Sequence, residues 1–298
     1  MNPIEILPNK IRKNMTLRAN KTYIVQGEVR VLKKVRLTVE DQTTLLIING
    51  VFIKSCIRRS ALIFDQGSQL YAKRLNLKAG NENFKPVKMA DNGGIWFLGN
   101  YADACKDGIE VKTNRKNPLS HFSAKQITTS YLGRADDYIS PKSGKSISTG
   151  DDIDGFSVLG VGPTEWSINS IKSNYSADDG IDFTNSHVRM MNLEVNHPTE
   201  DGMNISSSRI EIHRSLHLDV TKTKQTDRNL FDLETDDGAS YVELFTGCSI
   251  KLNGVFGDEL VLSSSDMPKP NTKTDNEVPY FYSGKLKRAA LIYSIDED

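Results

Sequence analysis

The segments Asp154-Gly155-Phe156-Ser157-Val158, Asp179-Gly180-Ile181-Asp182-Phe183 and Asp201-Gly202-Met203-Asn204-Ile205 repeat one pattern, in which a turn is followed by apolar, small polar and apolar residues. Their starts are 25 and 22 residues apart, and a related segment, Asp237-Gly238-Ala239-Ser240-Tyr241, begins 36 residues later. This spacing is too long for a hairpin and too short for a domain. It is typical of one turn of a stacked repeat protein, which buries its apolar face against its neighbours.

Strand periodicity extends this pattern into a fold prediction. Side chains alternate between the two faces of a strand. Phe156, Ile181 and Met203 are therefore expected in one interior column, with Ser157, Asp182 and Asn204 facing outward. Two more short strands follow in each repeat, and helical periodicity is essentially missing. The sequence predicts an all-β fold, a single-stranded right-handed parallel β-helix (solenoid) with an N-terminal cap and a C-terminal extension.

The domain organisation follows from changes in composition. Residues 1–16 are expected to form an N-terminal cap, interpreted as a short helix, and residues 17–262 the repeat body. Two long polar loops, 102–122 and 134–150, interrupt this body and are the expected carriers of specificity. Residues 263–298 are expected to be a linker and a C-terminal packing segment.

Composition and charge exclude several classes of protein. The 298-residue chain has 38 basic and 38 acidic residues, so it lacks the positive excess of most nucleic-acid-binding proteins. No stretch is long and apolar enough to predict a membrane span. Three widely spaced cysteines argue against a disulfide framework or a zinc site.

A resemblance to a known group of proteins rests on several motifs. These are Leu159-Gly160-Val161-Gly162-Pro163-Thr164-Glu165-Trp166, Ala177 to Phe183, Asn20 to Gly27, Leu37 to Glu40 and Gly93 to Gly99. Across residues 20–255 the chain resembles bacterial secreted and surface right-handed parallel β-helix proteins with the pectate-lyase-like fold. Most of these proteins are of uncharacterised function. The resemblance implies the fold but no reaction, and the chain departs from it by having Asp41-Gln42 after Glu40 and no secretion signal.

The repeated aspartates are the main candidates for chemistry. Asp154, Asp179 and Asp201 are expected on adjacent turns at one corner, about 4.8 Å apart, where their charges repel. Three alternatives would offset this repulsion: each carboxylate accepts hydrogen bonds within its own Asx-turn, a calcium ion lies between the turns, or one carboxyl stays protonated and acts as an acid. Asp182, in a strand, either belongs to a ligand site or is simply solvated.

These considerations define the candidate site residues. Catalytic candidates are Asp179, Asp182 and Asp201, and metal candidates are Asp178, Asp179 and Asp201. Ligand-binding candidates are Asp154, Ser157, Asn204, His197 beside the acidic residues, and Tyr138 in the second loop. Tyr101 and Tyr131 also border the loops and could stack on a sugar ring.

Three functions remain open, and the last of them, a cytosolic scaffold that recognises another protein, is supported only by the missing signal. The first is a module without an established reaction that binds a glycan or a surface protein through the acidic corner and the two loops. The second is a polysaccharide-cleaving enzyme, a glycoside hydrolase or lyase that uses the clustered aspartates with or without calcium. No cofactor is required by the first. The resemblance favours a secreted or cell-surface location, whereas the missing signal favours the cytoplasm.

Overall fold

The computed structural model describes residues 3–50, 59–103, 105–106, 109–111, 113–135, 153–220, 228–272 and 278–294. Within these ranges every regular secondary-structure element is a β-strand, which confirms the predicted all-β character. The strands are short because turn residues recur every few positions. In chain order they are β1 (Ile4–Ile6), β2 (Lys10–Ile11), β3 (Met15–Leu17), β4 (Thr22–Val25), β5 (Glu28–Val31), β6 (Arg36–Val39), β7 (Thr44–Ile48), β8 (Ala61–Phe64), β9 (Gln69–Gly80), β10 (Ile95–Leu98), β11 (Cys105–Lys106), β12 (Ile109–Glu110), β13 (His121–Ser130), β14 (Phe156–Leu159), β15 (Trp166–Ile168), β16 (Ser170–Asn174), β17 (Asp182–Thr184), β18 (His187–Asn196), β19 (Met203–Ser206), β20 (Arg209–Asp219), β21 (Phe231–Glu234), β22 (Tyr241–Leu244), β23 (Ser249–Val255), β24 (Leu260–Ser263), β25 (Pro279–Lys285) and β26 (Ala290–Ser294).

The strands form two large sheets and one small ribbon. The smaller of the two large sheets has eight parallel strands in the order β2-β5-β8-β10-β14-β17-β19-β21. The larger has 16 strands and is mixed, since β22 and β24 pair antiparallel with β26, and β23 pairs antiparallel with β25. Strands β11 and β12 form an antiparallel ribbon within the loop 102–122.

This arrangement corrects the predicted fold class. A single-stranded right-handed parallel β-helix is contradicted because the described strands divide into a mixed 16-stranded sheet and a parallel 8-stranded sheet. The physical reason lies at the C-terminal end, where β25 and β26 turn back along the larger sheet and pair antiparallel with it. A repeat spacing in sequence predicts which strands are neighbours, but it does not predict how they are grouped into sheets.

The predicted neighbours are nevertheless adjacent within the 8-stranded sheet. Ser157 pairs with Asp182, and Asp182 pairs with Asn204, each in parallel register. Phe156, Ile181 and Met203 precede or begin these strands and are fully buried. The repeat therefore brings residues some 22 positions apart into contact. That adjacency is what positions the candidate site.

The fourth Asp-Gly segment does not continue the series. The strand that pairs with β19 is β21, in which Met203 lies opposite Phe231 and Asn204 opposite Asp232. The carboxylate of Asp237 lies on the surface and accepts a hydrogen bond from the Asn185 side chain at 3.2 Å. The fourth member of the structural series is therefore residues 229–233, which lack the Asp-Gly signal.

One large apolar core lies between the sheets, and stacked aromatic rings run through its centre. Phe97 packs against Phe64 at 5.1 Å and against Phe156 at 5.6 Å between ring centroids, and Trp166 meets it edge-on. A separate small core forms on the other face of the 8-stranded sheet, around Trp96. The members of this outer core are Ala61, Ile63, Trp96, Leu98, Tyr101, Val111, Ile153 and Leu159.

The chain ends differ from the expectation in one respect. The first residues form strands, not the helix assumed for the N-terminal cap, because β1 pairs in parallel with β4 and β2 with β5. Tertiary pairing overrides a weak helical pattern in segments this short. Among the described residues, none belongs to a helix with the length and apolar character needed to cross a membrane.

Candidate functional site

The repeated glycines are required by close approach between neighbouring turns. A Cβ atom added to Gly180 would lie 2.2 Å from Val195 Cγ1 and 2.5 Å from the Gly202 carbonyl oxygen. A Cβ atom added to Gly202 would lie 2.7 Å from the Leu230 carbonyl oxygen. Gly180 and Gly202 therefore allow the neighbouring segment to pack directly against them, which brings the adjoining aspartates close together, whereas Gly238 has no atom within 4 Å of an added Cβ.

The repeated aspartates connect successive turns. Asp179 Oδ1 accepts a hydrogen bond from the backbone N–H of Asp201 at 2.9 Å. Asp201 Oδ1 in turn accepts one from the backbone N–H of Asn229. The Asx-turn alternative placed these hydrogen bonds within each aspartate's own turn. In the structure, the Asp179 carboxylate instead accepts its hydrogen bond from Asp201, which belongs to the next repeat.

Five buried or half-buried aspartates form what we call the carboxylate cluster: Asp154, Asp178, Asp179, Asp182 and Asp201. Carboxylate oxygens of Asp154, Asp178 and Asp179 lie within 4.8 Å of one another, and all three residues are at most 6% exposed. Burial raises the pKa of Asp179 well above its usual value, and the nearby carboxylates of Asp154 and Asp201 raise it further. A raised pKa favours the third alternative considered above, a carboxyl that stays protonated.

Lys106 supplies a positive charge that faces the carboxylate cluster, and the charge of Arg228 acts on Asp201. The Lys106 Nζ atom lies 2.7 Å from Asp182 Oδ2, 3.7 Å from Asp154 Oδ2 and 3.2 Å from Thr184 Oγ1. Asp182 is completely buried, so the interpretation of it as a solvated residue is wrong. A carboxylate this deeply buried needs such a partner, because desolvation of an unpaired charge is very unfavourable.

Sequence reasoning missed Lys106. The basic residues within the repeats, Lys172, Arg189 and Arg209, lie on strands of the 16-stranded sheet. Lys106 lies in the loop 102–122 and comes directly before Asp107-Gly108, a dipeptide typical of tight hairpin turns. This dipeptide was the available signal for a two-stranded ribbon in the loop. Nothing in the sequence indicates where that ribbon packs.

Two polar neighbours of Asp182 have unused hydrogen-bonding capacity. Ser157 and Asn204 flank it in the sheet, as the sequence predicted. Among the described residues, Ser157 Oγ and Asn204 Oδ1 have no hydrogen-bond partner, and both atoms are shielded from solvent. Their position beside Asp182 keeps them as ligand candidates.

Asp154, Asp178 and Asp179 are the residues best placed to hold a metal ion. Calcium binds carboxylate oxygens at about 2.3–2.6 Å, so ligand oxygens within 4.8 Å of one another could share one ion. A divalent cation would also stabilise the ionised form of Asp179. Asp201 was predicted as a ligand, but it lies outside this closest group and contacts Asn229.

His197 lies in a second feature, which we call the aromatic groove. The rings of Tyr131 and Tyr175 stack at 4.8 Å and 5° between their planes, and His197 follows at 5.2 Å. All three residues have positive φ, between 53° and 59°, and each directly follows one of the paired strands β13, β16 and β18. The groove has a volume of about 450 Å³ and is lined by Lys88, Met89, Ala90, Tyr131, Tyr175, Ser176, Ala177, His197 and Thr199.

The aromatic groove and the carboxylate cluster share one backbone segment. Ser176 and Ala177 line the groove, and Asp178 follows them directly. Thr199 donates its hydroxyl to the Ser176 carbonyl at 2.9 Å and its backbone N–H to the Asp178 carbonyl at 3.2 Å. The groove wall is therefore anchored at the point where the cluster begins.

The remaining tyrosine candidates have different positions. Tyr101 is buried in the outer core and is not available for stacking, and burial raises its pKa to about 12. Tyr138 lies outside the described residues. Of the tyrosines named from the sequence, Tyr131 is the one that lines a groove, and Tyr175 was not anticipated.

Comparison with known proteins finds no family model, no curated protein and no solved structure that matches this chain. The resemblance to bacterial secreted and surface proteins therefore stays a prediction.

Proposed function

We propose that this protein is a glycan-binding module and that the aromatic groove receives the sugar. The observation that carries the proposal is the continuous ladder of Tyr131, Tyr175 and His197 along a groove of about 450 Å³. Tyr175 is 45% exposed, which is a large fraction for an aromatic side chain in an ordered turn. Ligand sites commonly combine such apolar surfaces with a few fixed polar groups.

The chemistry of the groove fits a hydroxyl-rich ligand. Tyrosine and histidine side chains offer an apolar ring together with a hydrogen-bonding group. Lys88 and Thr199 add an ammonium group and a hydroxyl at the rim. The apolar parts can contact the C–H surface of a sugar while the polar groups bind its hydroxyls, a combination that neutral water-soluble glycans require.

The carboxylate cluster has a supporting role in this proposal. The Asp179 carboxylate accepts a hydrogen bond from the Asp201 backbone N–H, and Thr199 bonds the Ser176 and Asp178 carbonyls, so the groove wall needs little reorganisation when a ligand binds. A site whose groups are already ordered loses less conformational entropy on binding. A bound calcium ion would strengthen the same support without contacting the sugar.

Ligand titration of two matched variants tests the proposal. A panel of neutral and acidic oligosaccharides is screened by calorimetry with the native protein, then with Tyr175→Ala. Loss of an aromatic contact is worth about 0.5–1.5 kcal/mol beyond the buried area, so affinity should fall by about tenfold in total. The control is Phe281→Ala, an exposed aromatic that lies on β25 and outside the groove. Equal affinity in both variants, or binding of no glycan, would refute the proposal.

A polysaccharide-cleaving enzyme is a second candidate, favoured by one specific observation. The pKa of Asp179 is raised by burial and by neighbouring carboxylates, while the nearby Asp182 is ion-paired with Lys106. Acid–base pairs in enzymes often consist of two carboxyls held in such different environments. The burial of both residues counts against direct contact with a polymer. Assays for reducing ends and unsaturated products distinguish the two functions, and only an enzyme would lose activity in Asp182→Asn.

A further inference from the structure

A polar groove crosses the 16-stranded sheet on a surface that the proposed glycan site does not use. Its volume is about 470 Å³. Parallel pairing aligns Lys172, Glu194, His217 and Lys251 on four neighbouring strands, so these side chains share one face. We call this feature the polar groove, and its lining comprises Gln126, Ser170, Ile171, Lys172, Asn192, Leu193, Glu194, Ser215, Leu216, His217, Ser249 and Lys251.

The charges along the polar groove are unevenly balanced. Lys172 is neutralised by Glu194, whose Oε1 atom lies 2.7 Å from the lysine Nζ. Lys251 is exposed and forms no ion pair with a carboxylate among the described residues. Lys285 lies on the adjacent antiparallel strand, opposite Ser249, and it is exposed too. One end of the groove therefore has two exposed lysines, and the carboxylate of Asp219 also acts on His217 near that end.

His217 lies between the neutralised part of the groove and this positive end. Burial lowers its pKa, and the charge of Lys251 lowers it further. The charges of Glu194 and Asp219 raise the pKa of His217, and the charge of Lys172 lowers it. The net shift of this pKa is downward. This downward shift favours the neutral imidazole. Its Nδ1 atom lies 3.9 Å from Glu194 Oε1, and within the described residues its Nε2 atom has no hydrogen-bond partner.

A row of hydroxyl and amide groups runs beside these charges. Asn192 donates its side-chain amide to Ser170 Oγ at 2.7 Å, and Ser215 Oγ donates to Asn192 Oδ1 at 2.8 Å. The row ends at Ser249, which is exposed and lies next to the positive end. A ligand at that end would find hydroxyl groups as well as ammonium groups.

We propose that the polar groove binds an oxyanion at the end formed by Lys251, Lys285 and His217, and that binding is coupled to protonation of His217. The anion is a sulfate or a carboxylate group, either free or attached to a larger hydroxylated molecule. An anion near Lys251 offsets the repulsion that this lysine exerts on protonated His217. Proton uptake and anion binding therefore favour each other, as linked equilibria require. This site is separate from the aromatic groove and does not depend on the proposed glycan binding.

The test uses sulfate, because sulfate does not titrate between pH 5.5 and 7.5. Binding to the full chain is followed by NMR of the histidine ring protons, with the His217 signal assigned from a His217→Asn variant. We expect sulfate to raise the pKa of His217 by about half a unit, and therefore to bind about threefold more tightly at pH 5.5 than at pH 7.5. In His217→Asn this pH dependence should disappear while binding at pH 7.5 persists.

Lysine variants show where the anion binds. Lys251→Gln should weaken sulfate binding by about fivefold or more, and Lys285→Gln by a smaller factor. The matched control is Lys10→Gln, an exposed lysine on β2 in the other sheet, which should leave the affinity unchanged. Acetate and glucuronate, titrated in parallel, distinguish a carboxylate from a sulfate preference and show whether a sugar body adds affinity. Equal weakening by Lys10→Gln and Lys251→Gln, or an unshifted His217 pKa with saturating sulfate, would overturn the proposal.

Discussion

Replacing Lys106 with methionine should destabilise this protein strongly, although the residue lies in a surface loop. The substitution keeps a long apolar side chain but removes the charge that contacts Asp182 at 2.7 Å and Asp154 at 3.7 Å. Asp182 is completely buried and Asp154 nearly so, hence neither carboxylate gains water when the lysine is lost. Removal of one partner from a buried ion pair costs about 3–5 kcal/mol. Because the Lys106 side chain is 23% exposed, we expect about 2–4 kcal/mol here.

The measurement is urea unfolding at pH 7 together with thermal melting. For a chain of this size the melting temperature should fall by about 3–6 °C. The double variant Lys106→Met/Asp182→Asn removes both charges and should recover at least half of the loss, since the two effects are not additive in a direct contact. Lys21→Met is the control because it breaks an exposed ion pair with Glu5, which should cost less than about 1 kcal/mol. A loss in Lys106→Met no larger than in this control, or no recovery in the double variant, would refute the assignment of Lys106 as the internal counter-charge.

Three further predictions concern the same corner of the molecule. The pKa of Asp179 is raised in the folded state. At pH values between the ordinary pKa of 3.8 and this raised pKa, the folded state binds more protons than the unfolded state. The free energy of unfolding therefore falls as the pH rises through this range. Asp179→Asn should remove this dependence in pH-dependent unfolding and raise the stability at pH 7. Calcium at 100 times its dissociation constant should stabilise the fold by about 2.7 kcal/mol and raise the melting temperature. Asp178→Asn should abolish this rise. An unchanged melting temperature in the native protein would show that calcium does not bind the carboxylate cluster. Gly180→Ala should cost about 2 kcal/mol or more in urea unfolding, because its Cβ would lie 2.2 Å from a Val195 methyl group, whereas Gly162→Ala, with 3.5 Å of clearance, should be nearly neutral.

The sequence predicted the neighbours correctly where a repeat with constant spacing was present. Ser157, Asp182 and Asn204 are adjacent because strands 22–25 residues apart pair in parallel, and parallel pairing preserves the side-chain alternation. The repeat signal failed at its fourth member. Asp237-Gly238 matches the pattern in sequence, but residues 229–233 occupy the position in the sheet.

The sheet arrangement could not be predicted in the same way. Whether β25 and β26 add to a sheet, and in which direction, depends on long-range contacts that leave no periodic signal. The same limitation applies to Lys106, whose role depends on where the loop 102–122 lies. Its partner Asp182 is unusual because aspartate is disfavoured in strands. That rule does not distinguish a solvated aspartate from one in a site, and the burial of Asp182 decides between them. Local rules identified the residue that needed a partner, and only tertiary structure identified the partner.

The carboxylate cluster lowers the stability of the fold, and uncharged side chains at the same positions would avoid this loss. Three carboxylates with oxygens within 4.8 Å of one another, one of them with a raised pKa, are unfavourable unless protons, Lys106 or a metal ion offset them. Close glycine contacts force these turns together, so the repulsion cannot be relieved by moving the turns apart. Asparagine at the same positions would still accept the inter-turn hydrogen bond made by Asp179. Two uses of the charge would offset this cost, namely holding a cation and fixing the loop 102–122 through Lys106, and the calcium and Lys106→Met experiments separate them.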